Sequence, residues 1–218
     1  EELTYIINEG ANLNDGLREL SSHGWGSVMY DKENMSSALQ LLCYCAGDNH
    51  YRHRHEISSL VAFLVANGAD PNVSYKGLYP PLVNVVKTYH PSLIETLLMG
   101  GADVNIRSTN WNPEYIPMFN AISSYEQKTV ELLLAYGADL SITCKLYDNV
   151  VTPIEWAILV YSSKYNTQPF ENMMNCLIKH GSPRPTNTFI DYRRAGHNDY
   201  FVTDLDKFEQ IVSYLSNV

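Results

Sequence analysis

The chain has 218 residues, 45% of them hydrophobic, and carries a net charge of −9 from 24 acidic against 15 Lys and Arg side chains. An acidic field of that size works against a broad nucleic-acid surface, and no window approaches the roughly 18 uninterrupted apolar residues of a membrane span. Four cysteines (Cys43, Cys45, Cys144, Cys176) in a chain this long make no disulfide framework; they read as reduced, mostly buried residues of a cytosolic protein.

Taken in chain order, the first signal is "IINEGANLN", a short apolar run stopped at Gly10 and followed by polar turn residues. Residues 15–35 read as an enlarged extended hairpin. From Ser37, "SALQLLCYC" is apolar at helical spacing, and an insertion near 47–56 separates it from a second helix ending in "FLVANGADPN". Asn34-Met-Ser36 and Asn72-Val-Ser74 match the glycosylation acceptor pattern, which is too short to carry weight. In 80–105, Pro81 suits the first turn of a helix carrying Leu82, Val85 and Val86, which must end by Pro91. A second helix with Leu93, Ile94, Leu97 and Leu98 then runs into Gly101, a residue that adopts the left-handed helix stop without a Cβ penalty. Ile116-Pro117 and Thr152-Pro153 open two more such units, ending at Gly137 and Gly181, the last with an insertion near 162–169. After Pro185, "KFEQIVSYL" is again apolar at helical spacing and either caps the structure or opens another repeat.

Gly10, Gly68, Gly101, Gly137 and Gly181 thus anchor a recurring phrase at intervals of 58, 33, 36 and 44 residues. A fixed period stretched by insertions is the mark of a repeat array, whose core grows along a line because each unit contacts only its neighbours. Each unit reads as helix, short loop, helix, Gly stop, extended hairpin. The phrases Gly68-Ala-Asp-Pro-Asn72, Gly101-Ala-Asp-Val-Asn105 and Gly137-Ala-Asp-Leu-Ser141 resemble the exit of the ankyrin repeat, G-A-D-x-N. Thr152-Pro-Ile-Glu-Trp-Ala157 resembles its T-P-L-H-x-A entry, and the entries at Ser37, Pro80 and Ile116 are more degraded. The resemblance implies an all-α ankyrin solenoid of antiparallel helix pairs with β-hairpin loops. The array would occupy 1–185 as about five full or partial repeats, with 186–218 as a cap or further partial repeat.

The Cys43, Cys45, His50, His53, His55 cluster holds zinc-ligand residue types in a short span. Cys43 and Cys45, however, are two apart on a predicted helix and point to different faces. The segment therefore reads as a core thiol followed by a solvated basic loop, with no metal. Nucleophile-elbow, P-loop, dinucleotide and H-E-x-x-H motifs do not occur, so neither a catalytic residue, a cofactor nor a small-molecule substrate is expected. Tyrosine is the unusual abundance, at 16 residues. Tyr75, Tyr79, Tyr115 and Tyr147, with Trp111, fall in predicted hairpins, where rigid amphipathic rings serve either as interface anchors or as packing between hairpins. The ankyrin resemblance further implies that Leu41, Asn84, Asn120 and Trp156 face a concave groove. Trp156 either meets a partner there or folds beneath the 162–169 insertion.

Ankyrin arrays generally bind proteins and seldom catalyse. The stretched units, degraded entries and phrases such as "SSALQLLCYC" and "KGLYPPLVNVV" look like those of poxvirus ankyrin host-range proteins. That likeness implies a host cytosolic, innate-immune protein as partner and the host cytoplasm as location. Many members carry a C-terminal F-box-like segment, to which 186–218 shows no match. The alternatives are a secreted bacterial ankyrin effector, a scaffold domain of a larger enzyme or ubiquitin-ligase adaptor, and an enzyme dependent on the Cys/His segment. The chain opens on Glu1 rather than Met, so domains outside it stay open.

Overall fold

The computed structural model describes residues 8–14, 17–18, 35–47, 54–73, 79–87, 90–108, 114–146, 149–162, 167–194 and 205–217. They are mostly helical and fall into two compact units, Glu1–Asn110 and Trp111–Val218.

In the first unit, β1 (Leu17–Arg18) pairs antiparallel with β2 (Met35–Ser36), clasping the base of the expected enlarged hairpin. Helix α1 (Ala38–Gly47) begins where the Ser37 hydroxyl accepts the Gln40 N–H at 3.1 Å, an N-cap that satisfies one orphan donor of the first turn. Helix α2 (Arg54–Ala66) follows. Helices α3 (Pro81–Val85) and α4 (Pro91–Met99) both start with proline at the position that needs no N–H. Helix α1 packs on α2 and α3, α2 on α4, and α3 on α4, so first helices stack on first helices and second on second. The predicted apolar positions form this core: Leu82, Val85 and Val86 on one side, Leu93, Ile94, Leu97 and Leu98 on the other, all buried. Between the stacked second helices the approach is close. A Cβ on Gly100 would lie 2.2 Å from Val65 Cγ1.

The second unit repeats the plan. Helices α5 (Pro117–Ser123) and α6 (Gln127–Ala135) are followed by a hairpin of β3 (Cys144–Leu146) and β4 (Asn149–Val151). Helices α7 (Pro153–Ser162) and α8 (Thr167–Lys179) come next. Here α5 packs on α6 and α7, α6 on α8, and α7 on α8. Much of the excess length near 162–169 is therefore helix: α8 has 13 residues where α6 has 9. The stretch 186–218 supplies α9 (Asn187–Arg194) and α10 (Leu205–Asn217), with Phe189, Phe208, Ile211 and Leu215 buried. The Thr186 hydroxyl caps α9 by accepting the Phe189 N–H at 3.1 Å, as Ser37 caps α1.

All five anchoring glycines hold φ between +82° and +90°, the left-handed conformation their positions imply. At four of them the following residue donates its N–H back across the turn: Ala69 to Leu64, Ala102 to Leu97, Ala138 to Leu133 and Ser182 to Leu177. These are Schellman closures of the second helix. An Asx turn follows the glycine at Gly68, Gly101, Gly137 and Gly10: Asp70 accepts the N–H of Asn72, Asp103 that of Asn105, Asp139 that of Ser141, and Asn12 that of Asn14. In the first unit the asparagine ending the phrase then reaches its neighbour. The Asn14 Oδ1 accepts the Asp70 N–H at 2.7 Å. Asn72 accepts the Asp103 N–H at 2.6 Å and donates to the Gly101 carbonyl at 2.9 Å.

Candidate partner-binding site

The entry segments position most of the expected contact residues. In the first unit the Tyr79 carbonyl accepts Gln40 Nε2 at 3.0 Å and Asn84 Nδ2 at 3.2 Å, which fixes the backbone just before α3. Gln40, the fourth residue of the entry phrase that begins at Ser37, is fully buried. Its reach forward to the next entry ties α1 to α3. The Tyr79 ring, half-buried, lies 5.3 Å below the Lys87 ammonium. A cation over a ring face is attracted by the ring quadrupole, and burial of the ammonium holds Lys87 below the ordinary lysine range. Lys87 was not legible as a site residue, because no motif links it to Tyr79.

In the second unit Glu155 takes the same entry position. Its Oε2 accepts the Thr152 N–H at 2.9 Å while Thr152 Oγ1 accepts the Glu155 N–H at 3.4 Å, a reciprocal capping box. Its Oε1 accepts both the N–H and the hydroxyl of Thr186, at 2.9 and 3.0 Å, so the buried carboxylate joins α7 to the start of α9. Tyr115 is half-buried, beside Glu114, whose carbonyl accepts the Cys144 thiol at 3.4 Å.

At three of the four expected groove positions the side chains are buried. Asn84, Asn120 and Trp156 are 8%, 8% and 7% exposed. Trp156 meets Phe119 edge-on, with centroids 5.7 Å apart, and donates its indole N–H to Ser123 Oγ at 2.8 Å. Its ring is held by α5, so little of its surface is left for a partner. Asn120 Nδ2 is buried without an acceptor among the described residues. Leu41 is half-buried. Tyr75, Trp111 and Tyr147 lie outside the described residues, as do His50 and His53. Burial pushes the Cys43 thiol far up, with the adjacent Cys45 adding to it, so Cys43 is the core residue its helical face implies.

The hairpin carries what sequence reading missed. Along β3 the side chains alternate: Cys144 and Leu146 are buried, Lys145 is exposed. Lys145 pairs with Val150, so the two share the outer face, and Val150 is 59% exposed. A lone valine within "LYDNVV" gives no sign of which face it takes until the register is known.

Among the described residues no group of three or more His, Cys, Asp or Glu is placed to hold a metal ion, and no helix is long and apolar enough to cross a membrane. No family model matches the chain, and no curated protein matches it. The functional reading therefore rests on the chain's own internal register and on these surfaces.

Proposed function

We propose that the chain is an ankyrin repeat array, non-catalytic, that binds a protein partner through its hairpins and the entry segments of its first helices. The likeness to poxvirus host-range proteins makes that partner a host cytosolic protein of innate immunity, which the array would antagonise. Support for the repeat reading comes from the recurrence of one local structure: helix pair, left-handed glycine, Schellman closure and Asx turn. The observation that carries the binding reading is the outer face of the β3–β4 hairpin, where Val150 is 59% exposed although a buried face lies one residue away. An apolar side chain there adds little burial to the core, whereas it suits a contact that excludes water. Tyr79 with Lys87 over its ring offers a second contact, and Tyr115 a third; Tyr75, Trp111 and Tyr147 stand in the same loops by sequence.

The test is capture of a partner from host-cell lysate, followed by affinity measurement with the purified partner. Val150→Asp and Tyr79→Ala should each weaken binding at least tenfold, about 1.4 kcal/mol or more per anchor, while the melting temperature stays within a few degrees of wild type. Undiminished affinity in both would contradict the reading.

A further inference from the structure

In the first unit the asparagine bridge between successive turns has three parts: the Asn72 carboxamide, the Asp103 N–H that it accepts, and the Gly101 carbonyl to which it donates. Aligning the phrases on their glycines places Ser141, Pro183 and Gly181 at those positions in the second unit. Ser141 is too short to span the gap, and Pro183 has no N–H to give. The structure has a slot of about 360 Å³ at this place, lined by Asp139, Leu140, Ser141, His180, Gly181 and Pro183. All three counterparts of the missing bridge are on its wall.

The two substitutions also set the slot's chemistry. With the Pro183 donor gone, two acceptors face the slot, the carbonyl at Gly181, which corresponds to the one Asn72 uses at Gly101, and the Asp139 carboxylate, with the His180 side chain on the same wall. A carboxylate offers about four lone-pair sites. The N–H and hydroxyl of Ser141 both bond Asp139 and hold its carboxyl below the usual range, so it stays anionic. A ligand that pairs with both acceptors must donate, and the anionic Asp139 favours one that carries positive charge. We infer that the slot receives a guanidinium group, an arginine side chain of the protein partner, which takes the place of the carboxamide that the first unit supplies from within. A planar multi-donor fork bonds a carboxylate and a carbonyl together, whereas an ammonium is a point charge. The net charge of −9 draws a basic partner toward the chain. This inference rests on the partner-binding reading above.

Amide-resolved NMR of the full chain tests it, with N-acetyl-arginine methylamide as probe and its lysine and norleucine counterparts as controls. The arginine probe should shift the Ser141 and Gly181 amides saturably in the millimolar range, the lysine probe more weakly and norleucine not at all. Asp139→Asn should weaken the arginine probe about tenfold. That variant keeps its turn, because Asn12 already makes the same Asx turn. The double variant Ser141→Asn with Pro183→Ala rebuilds the internal bridge by restoring the carboxamide and the backbone N–H; it should exclude the probe without lowering the melting temperature. No saturable shift, equal lysine and arginine binding, or an Asp139→Asn variant that binds as wild type would each overturn the assignment. Against the captured partner, both variants should lose affinity. Partner binding unchanged in both, with Val150→Asp still defective, would overturn the slot and leave the array's function standing. A probe that binds as expected, in a chain whose partner ignores Val150→Asp and Tyr79→Ala, would count against the hairpin reading alone.

Discussion

Trp156 shows how one side chain decides between folding and binding. Its position in the entry motif points outward by analogy, yet its ring is 7% exposed, edge-on to Phe119, with the indole N–H on Ser123 Oγ. Removing it leaves a cavity against α5, and Trp156→Ala should cost about 3–5 kcal/mol of folding stability. Trp156→Phe keeps the edge-on contact and loses the hydrogen bond, for about 1 kcal/mol. Chemical denaturation of both variants measures the two costs. Trp156→Ala with unchanged stability and lost partner affinity would return the residue to the interface. Asp139, fully exposed, has a pH signature. Its folded carboxyl is held below its unfolded value by bonds from Ser141, so its stabilising contribution is present above the ordinary carboxylate range near pH ~4 and is lost as pH falls through the lower folded value. The melting temperatures of wild type and Asp139→Asn should therefore converge on acidification; a gap that widens would give the wrong sign.

At the scale of elements, each helix pair is closed by the same device, and what differs between pairs is the bridge that follows. Asn72 makes two bonds to the next turn. Asn72→Ala strands the Gly101 carbonyl and the Asp103 N–H at a partly solvated site, and should lower stability by about 1–2 kcal/mol. Ser141→Ala removes no such bridge and should change stability less. Denaturant midpoints compare the two, and equal losses would show that the bridge adds nothing. The helices themselves were legible because their signals are local: proline at the first turn, apolar residues three and four apart, glycine at the stop. Val150 and Lys87 were not, because exposure on a hairpin depends on strand register, and a cation over a ring depends on a fold that brings residues 79 and 87 together. What covers the groove positions was not legible for a related reason. Spacing tells which face Asn84, Asn120 and Trp156 take, but not that Phe119, Ser123 and the Tyr79 carbonyl would already occupy them.

For the molecule as a whole, the five glycines at φ +82° to +90° link sequence period to structure most firmly, since a non-glycine residue there would be strained at each turn. The stretched intervals are absorbed without breaking that plan: α2 and α8 lengthen to 13 residues each, and the β1–β2 pair closes the base of the longest insertion. Loops carried on a scaffold of repeated helix pairs are well placed to hold the contact residues of the proposed partner surface. The most direct measurement is hydrogen–deuterium exchange of the full chain with and without its captured partner. The account predicts added protection in the hairpin segment around residues 144–151 and in the entry segments at 79–87 and 114–117, with the second helices α4, α6 and α8 unchanged apart from the turn at Gly181. Protection confined to the second helices, with the hairpin and entries exchanging as in the unbound chain, would contradict it.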